Sequence, residues 1–128
     1  MTSNRFPLTL LPGNIAVCRL APDSEVPDWS SEGPFSCVMR TPDELSIVCA
    51  EAAVPAGIQA ERGFRALKLE GPVPFTTIGV VSGMTKPLAE AGISVFILST
   101  YDTDYLLVKA TALDRAAKVL GRAGFSVA

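Results

Sequence analysis

Histidine is absent from this 128-residue sequence. Histidine is the commonest general base near neutral pH and the commonest transition-metal ligand in proteins. Its absence excludes catalytic triads built on histidine and most zinc sites. An enzyme would have to work through carboxylates, lysine or a cofactor. We therefore expect a protein that is not an enzyme, with no catalytic residue, no metal and no cofactor.

A cluster of basic residues and a long apolar run are also missing. The net charge is −2, whereas a nucleic-acid-binding surface normally shows a basic stripe. No stretch approaches the roughly 18 apolar residues that a membrane span needs, and the amino terminus lacks the apolar core of a signal peptide. We expect a cytoplasmic protein with no nucleic-acid partner and no membrane contact.

Cysteine is scarce, and its number is odd. Cys18, Cys37 and Cys49 include no C-x-x-C spacing, and each has apolar neighbours. This pattern predicts structural thiols inside the fold and disfavours a metal or redox site.

The second half of the sequence alternates strand and helix patterns. Apolar periodicity, turn residues and glycines predict the following elements: a strand at 73–81, a helix to about 91, strands at 93–99 and 105–109, a helix after 111 and a strand at 125–127. For the first helix, Ser82 or Thr85 is a candidate cap, and Pro87 fits only a first turn or a kink. For the second, Thr111 and Asp114 match a capping box.

A short internal sequence repeat supports this arrangement. LAEAGISV at 88–95 and LGRAGFSV at 120–127 share Leu, Ala-Gly and Ser-Val in register. The repeat indicates two β-α-β units and hence an α+β fold of the ferredoxin-like βαββαβ type, an antiparallel sheet with both helices on one face.

The first half is predicted to be rich in β-strand. Segments 8–11 and 15–20 flank Pro-Gly-Asn and suggest a hairpin, and strands at 35–40 and 45–50 enclose a turn at 41–44. A single helical turn is expected within 27–31. We divide the chain into a β-rich half at 1–61, interpreted as a degenerate copy of the same plan, and a βαββαβ domain at 62–128.

The link STYDTDY, residues 99–105, contains both tyrosines of the chain and two of its carboxylates. Asp102 and Asp104 lie two apart, so a strand would place both on one side. Three interpretations stay open: a solvated hairpin tip, a carboxylate that binds an amine, and an acid–base or metal site.

The segment GVVSG, residues 79–83, lies where a strand is predicted to meet a helix. Free N–H groups at such a junction can bind a carboxylate or phosphate. Glycines that serve only close packing are the alternative, and neither nucleotide-binding glycine spacing is present.

The segments GPVPFTTIGV and LAEAGISVFILSTYDTDYLLVK resemble the signature of an ACT-domain family of small bacterial proteins. The resemblance covers about residues 62–127. The same motif is also similar to that of the ACT repeats in the cytosolic arginine sensor of animal growth signalling. It implies a regulatory fold that senses amino acids, typically at an interface between ACT units.

The resemblance also implies particular site residues. Ser94 and Val95 would lie on an edge strand that faces an amino acid, and Thr100, Tyr101 and Asp104 would hold its amine or side chain. Gly83 would allow close backbone approach at the strand-to-helix turn, and Ser82 is a further candidate ligand-binding residue there. In another ACT repeat the tyrosine-aspartate stretch contacts a protein partner instead, so both roles stay open here.

We therefore expect a small-molecule-binding regulatory protein, with an amino acid or similar metabolite as ligand and a homodimer as its assembly. A separate protein would be the target of regulation. The alternative is a protein-interaction module that uses the 99–105 hairpin to dock a partner.

Overall fold

The computed structural model describes residues 6–71 and 77–128. In chain order its strands and helices are β1 Phe6–Leu10, β2 Ile15–Leu20, β3 Cys37–Arg40, β4 Leu45–Ala50, β5 Ala60–Leu69, α1 Val80–Glu90, β6 Phe96–Ser99, β7 Asp104–Lys109, α2 Leu113–Arg122 and β8 Phe125–Val127. Single 3₁₀ turns occur at Asp28–Ser31, Glu51–Ala53 and Ala110–Ala112.

The described chain forms two compact units. Pro12–Phe64 form one, which we call the strand unit, and the described residues on either side of that segment form the other, the helical unit. The chain passes from the first to the second within β5. The predicted division at 61/62 is therefore not the division seen in the contacts, because β1 belongs to the helical unit.

The strand unit is an antiparallel sheet in the order β3-β4-β2-β5. The predicted hairpin of β3 and β4 is confirmed. Its turn is held by the Thr41 hydroxyl, which accepts hydrogen bonds from the N–H groups of Asp43 and Glu44, both at 3.1 Å. The helical turn expected within 27–31 is also confirmed.

The core of the strand unit contains two of the three cysteines. Cys18 and Cys49 are buried with Ala16, Leu45 and Ile47, whereas Cys37 is half-buried. All three are free thiols. The prediction of structural thiols in the interior is confirmed for Cys18 and Cys49.

The helical unit has the predicted α+β, ferredoxin-like fold with one addition. Its strand order is β6-β7-β5-β1-β8, so β1 lies between the first and last strands of the βαββαβ series. β1 pairs antiparallel with β5 and parallel with β8. The parallel pair departs from the fully antiparallel sheet that the sequence predicted.

The predicted hairpin of residues 8–11 and 15–20 is wrong. Both strands exist, but β1 pairs with β5 and β8 while β2 pairs with β4 and β5. The physical reason lies in burial, since Leu8 of β1 is only 1% exposed among the apolar side chains of the helical unit. A hairpin with β2 alone would not provide that environment.

The start of α1 also differs from the prediction. The helix begins at Val80, with Gly79 as its cap in the left-handed conformation, φ +86°. Residues 77–79 are irregular, so the strand predicted at 73–81 does not extend into them, and residues 73–76 lie outside the described part of the chain. Pro87 lies inside the helix, beyond its first turn.

α2 begins without the predicted capping box. A 3₁₀ turn at Ala110–Ala112 leads into the helix, and no side chain caps its start. Ala116 and Leu120 of this helix are fully buried. Arg115 donates a 2.6 Å hydrogen bond to the carbonyl of Ala91 at the end of α1.

Both helices pack into one core. The buried members of this cluster come from β1, β5, β7, β8, the two helices and the segment between α1 and β6. They are Leu8, Leu67, Leu69, Met84, Leu88, Ile93, Leu106, Val108, Ala116, Leu120 and Phe125. α1 and β7 are thus each anchored in this core.

Candidate ligand-binding site

A cleft of about 600 Å³ opens in the helical unit between the start of α1 and the β6–β7 link. Pockets that bind small molecules typically have about 300–1,000 Å³. The lining residues are Thr77, Gly79, Val80, Val81, Ser82, Thr85, Ser99, Thr100, Tyr101, Asp102, Thr103 and Asp104.

The β6–β7 link is a hydrogen-bonded turn. The Thr100 N–H donates to the Thr103 carbonyl at 2.8 Å, and the Thr103 N–H donates to the Thr100 hydroxyl at 3.1 Å. The Thr103 side chain is buried and donates to the carbonyl of Leu69 in β5 at 2.6 Å. This wall of the cleft is therefore tied to the sheet.

Asp104 is the half-buried carboxylate of the cleft. It lies directly across from Ser99 in the antiparallel pair of β6 and β7. The Ser99 hydroxyl donates to Asp104 Oδ1 at 2.5 Å. Asp102 lies in the turn itself and is exposed.

The opposite wall is the first turn of α1. Gly79 has the backbone conformation that strongly favours glycine, and its carbonyl accepts the first helical hydrogen bond from the Gly83 N–H at 2.9 Å. The Ser82 hydroxyl also donates to that carbonyl, at 3.2 Å. The N–H groups of Val80, Val81 and Ser82 have no partner within the helix, and this end of the helix dipole is positive.

The two walls therefore have opposite electrostatic character. Within the part of the chain that the structure describes, the charged side chains that line the cleft are the carboxylates of Asp102 and Asp104, with no lysine or arginine beside them. Carboxylates favour a cationic group, whereas free N–H groups at a helix start favour an anionic one. A zwitterion of small size matches this arrangement.

The structure brings together four of the seven predicted site residues. Ser82, Thr100, Tyr101 and Asp104 line the cleft. Tyr101 is 84% exposed at this surface.

The other three do not line it. Ser94 is exposed before β6, and Val95 is half-buried against the core. Gly83 faces the ring of Phe125, where an added Cβ would come within 3.6 Å of the ring. Its N–H is already used within the helix.

Sequence reasoning did not select Ser99 or Thr103 as site residues. Ser99 becomes relevant only through strand register, because Asp104 is its cross-strand partner. Had the hairpin turn been placed at residues 100–103, that pairing would have followed. Thr103 offers no comparable signal, since its partner Leu69 is distant in sequence.

Two further structural observations concern metal binding and membrane-spanning helices. Over residues 6–71 and 77–128, no group of three His, Cys, Asp or Glu side chains is placed to hold a metal ion. Within the same residues, no helix has the length and apolar character to cross a membrane.

Comparison with protein families matches the ACT-domain model to residues 59–122 and a model of an N-terminal domain to residues 13–57. A comparison with curated proteins gives no match.

Solved structures extend the comparison. A protein from Agobacterium tumefaciens is 36% identical, with a TM-score of 0.92 over 98% of this chain and 94% of that chain. A Vibrio cholerae protein is 23% identical, with a TM-score of 0.75 over 93% and 90%. The aspartate kinase regulatory subunit of Thermus thermophilus is 12% identical and shares the fold, with a TM-score of 0.62 over 88% and 93%.

The ACT model matches half of the chain, and the fold over 88% of the chain agrees with that of an aspartate kinase regulatory subunit. The sequence resemblance noted in residues 62–127 points to the same family. On this evidence, the chain belongs to the ACT-domain family.

Proposed function

We propose that this protein is a non-catalytic regulatory protein that binds an amino acid or a similar small metabolite in the cleft of its helical unit. The observation that carries the proposal is the cleft itself, which sets Asp104 opposite the first turn of α1. An α-amino acid needs a negative group for its ammonium and free donors for its carboxylate. Charge-assisted hydrogen bonds of this type are the strong ones.

Tyr101 adds a third element to the proposed site. Its exposed ring lies at the cleft and can cover a cationic group of the ligand. A cation over an aromatic ring gains about 0.5–2 kcal/mol. The apolar surface of Val80 and Val81 suits an aliphatic part of the ligand.

Isothermal titration of the full chain against the twenty amino acids tests the proposal. We expect heat with at least one of them, and an Asp104→Asn variant should bind it about tenfold or more weakly, since hydrogen bonds to charged groups contribute about 1.5–3 kcal/mol. Asp23→Asn is the matched control, because Asp23 is an exposed carboxylate in the strand unit, and this variant should bind the amino acid normally. No heat with any amino acid would refute the proposal.

We further propose that the protein acts in the cytoplasm as a homodimer and transmits ligand binding to a separate protein. β6 pairs only with β7 among the described strands, so its other edge is open to a second chain. Light scattering should give twice the 13.5 kDa mass of the chain. A monomer at all concentrations, with and without amino acids, contradicts this assembly.

A second candidate function is favoured by the exposure of two side chains. Ile78 is 94% exposed and Tyr101 is 84% exposed, which suits a surface that docks another protein. Asp104→Ala separates the candidates. Loss of amino-acid binding supports the sensor, whereas retained amino-acid binding with loss of a co-purifying partner supports the docking module.

A further inference from the structure

Ser99 and Asp104 form a paired unit at the cleft. The two residues face each other across β6 and β7, and the serine hydroxyl lies 2.5 Å from Oδ1 of the carboxylate. This is a short hydrogen bond to a charged acceptor, the strong class of such bonds. Among the residues that the structure describes, no other side chain donates to Asp104.

The pairing makes the two carboxylate oxygens unequal. Ser99 takes one of the two acceptor positions of Oδ1, whereas no described side chain donates to Oδ2, so Oδ2 is the more open oxygen for a bound molecule. A guanidinium is bound best through two parallel hydrogen bonds, one to each carboxylate oxygen. An ammonium is a compact point charge that needs only one strong acceptor.

We infer that Ser99 is a specificity-determining positioning residue, which sets Asp104 to favour a ligand ammonium over a guanidinium. This inference rests on the proposed function, because it assumes that Asp104 holds the cationic group of a bound amino acid. It extends the proposal by naming the cation class and a residue that acts through Asp104.

The hairpin has other hydrogen bonds besides the pairing of Ser99 with Asp104. The turn is already closed by the hydrogen bonds between Thr100 and Thr103, and the Thr103 side chain anchors it to Leu69. Ser99 lies at the exposed end of β6, beside the cleft. Its hydroxyl therefore acts where the carboxylate meets the ligand.

The experiment compares two probes on three proteins. The probes are the amino acid with the largest heat in the twenty-amino-acid titration and its Nα-amidino derivative, in which a guanidinium replaces the α-ammonium. The proteins are the wild type, Ser99→Ala and Ser99→Thr, each checked by thermal unfolding. Asp104→Asn is included to show that binding depends on the carboxylate.

The wild type should prefer the ammonium probe by about tenfold, the factor that corresponds to about 1.4 kcal/mol. Ser99→Ala should reduce this preference to below about threefold, since the acceptor position of Oδ1 that Ser99 occupied becomes available to the guanidinium. Ser99→Thr retains the hydroxyl and should restore the preference. A structural role alone would weaken both probes equally.

Two outcomes overturn the inference while the proposed function stands. They are equal binding of both probes by the wild type and an unchanged preference in Ser99→Ala. Binding that survives Asp104→Asn overturns the inference together with the placement of the ligand at Asp104 in the proposed function. If no amino acid binds the wild type, the proposed function fails, and the inference fails with it.

Discussion

At the scale of single residues, Thr103 carries the strongest constraint on the candidate site. It is one of two polar residues buried in the described part of the fold, and its hydroxyl donates to the Leu69 carbonyl at 2.6 Å. Buried polar groups contribute to stability only when their partners are satisfied. This one bond fixes the β6–β7 link to β5.

Replacing Thr103 by valine keeps its shape and removes the hydroxyl. We expect Thr103→Val to lower the free energy of unfolding by about 1–3 kcal/mol, because the Leu69 carbonyl loses its buried donor. Thr111→Val, at an exposed position with no side-chain cap bond, should change it by less than about 0.5 kcal/mol. Urea unfolding measures both, and equal effects would rule out the anchoring role.

The buried thiols give the protein a specific pH dependence. Burial raises the pKa of Cys49 to about 11, with smaller contributions from neighbouring Cys18 and Glu32, and burial also raises the pKa of Cys18. The folded state therefore keeps the Cys49 proton above the usual thiol pKa, whereas the unfolded state releases it. The contribution of Cys49 to the free energy of unfolding is therefore fully present below about pH 9.

As the pH rises from about 9 to about 11, this stability should be lost. Each pH unit across the window changes the free energy of unfolding by at most about 1.4 kcal/mol per group, less where solvent reaches the thiol. Cys49→Ala should show a flatter decline than the wild type in urea unfolding at a series of pH values. Parallel curves for the two proteins would show that Cys49 does not titrate differently in the folded state.

At the scale of elements, the sequence located most strands and both helices, because apolar periodicity and glycine positions are local signals. It misplaced the start of α1. The segment 77–81 has β-branched residues that favour a strand, but Gly79 adopts a left-handed conformation and begins a helix instead. Local propensity was overridden there by the packing of Met84 and Leu88 into the core.

Two glycine substitutions should change stability in opposite directions. Gly79→Ala puts a side chain on a left-handed backbone, φ +86°, in open space, since the nearest atom would lie 3.9 Å away. We expect a loss of about 1–2 kcal/mol from backbone strain alone. Gly121→Ala, in α2 with nothing within 4 Å, should instead gain about 0.5–1 kcal/mol.

Thermal unfolding of the two variants checks this pair. Because neither added methyl group meets a neighbour closer than 3.9 Å, steric overlap does not explain a difference in stability between the two variants. A Gly79→Ala protein as stable as the wild type would contradict the strained cap. In that case α1 would have to begin elsewhere and the cleft wall would change with it.

At the scale of the whole molecule, the sequence could not predict the position of β1. Its pairing with β8 joins Phe6 to Phe125, from opposite ends of the chain, and their rings lie 5.5 Å apart. No local pattern reports a contact over that separation. The same limit applies to the site, where Asp104, Tyr101 and the junction at 79–83 could each be selected from a local segment, but their meeting at one cleft could not be predicted.

The placement of β1 makes a direct prediction about domain boundaries. A fragment that starts at residue 62, the division suggested by the sequence, lacks the strand between β5 and β8. Leu8 is 1% exposed, and β1 exchanges backbone hydrogen bonds with both neighbours. Its removal should lower the free energy of unfolding by about 3 kcal/mol or more, from one buried leucine and several lost hydrogen bonds.

Peptide complementation tests this prediction without relying on a fragment that fails to fold. A chain of residues 12–128 should show reduced near-ultraviolet circular dichroism and fast amide exchange in β8. Addition of a peptide of residues 1–11 should restore both signals, because it supplies the missing strand. A scrambled peptide of the same composition is the control. If the shortened chain is as stable as the full chain and ignores the peptide, β1 is not part of the folded core and the 62–128 division is the better one.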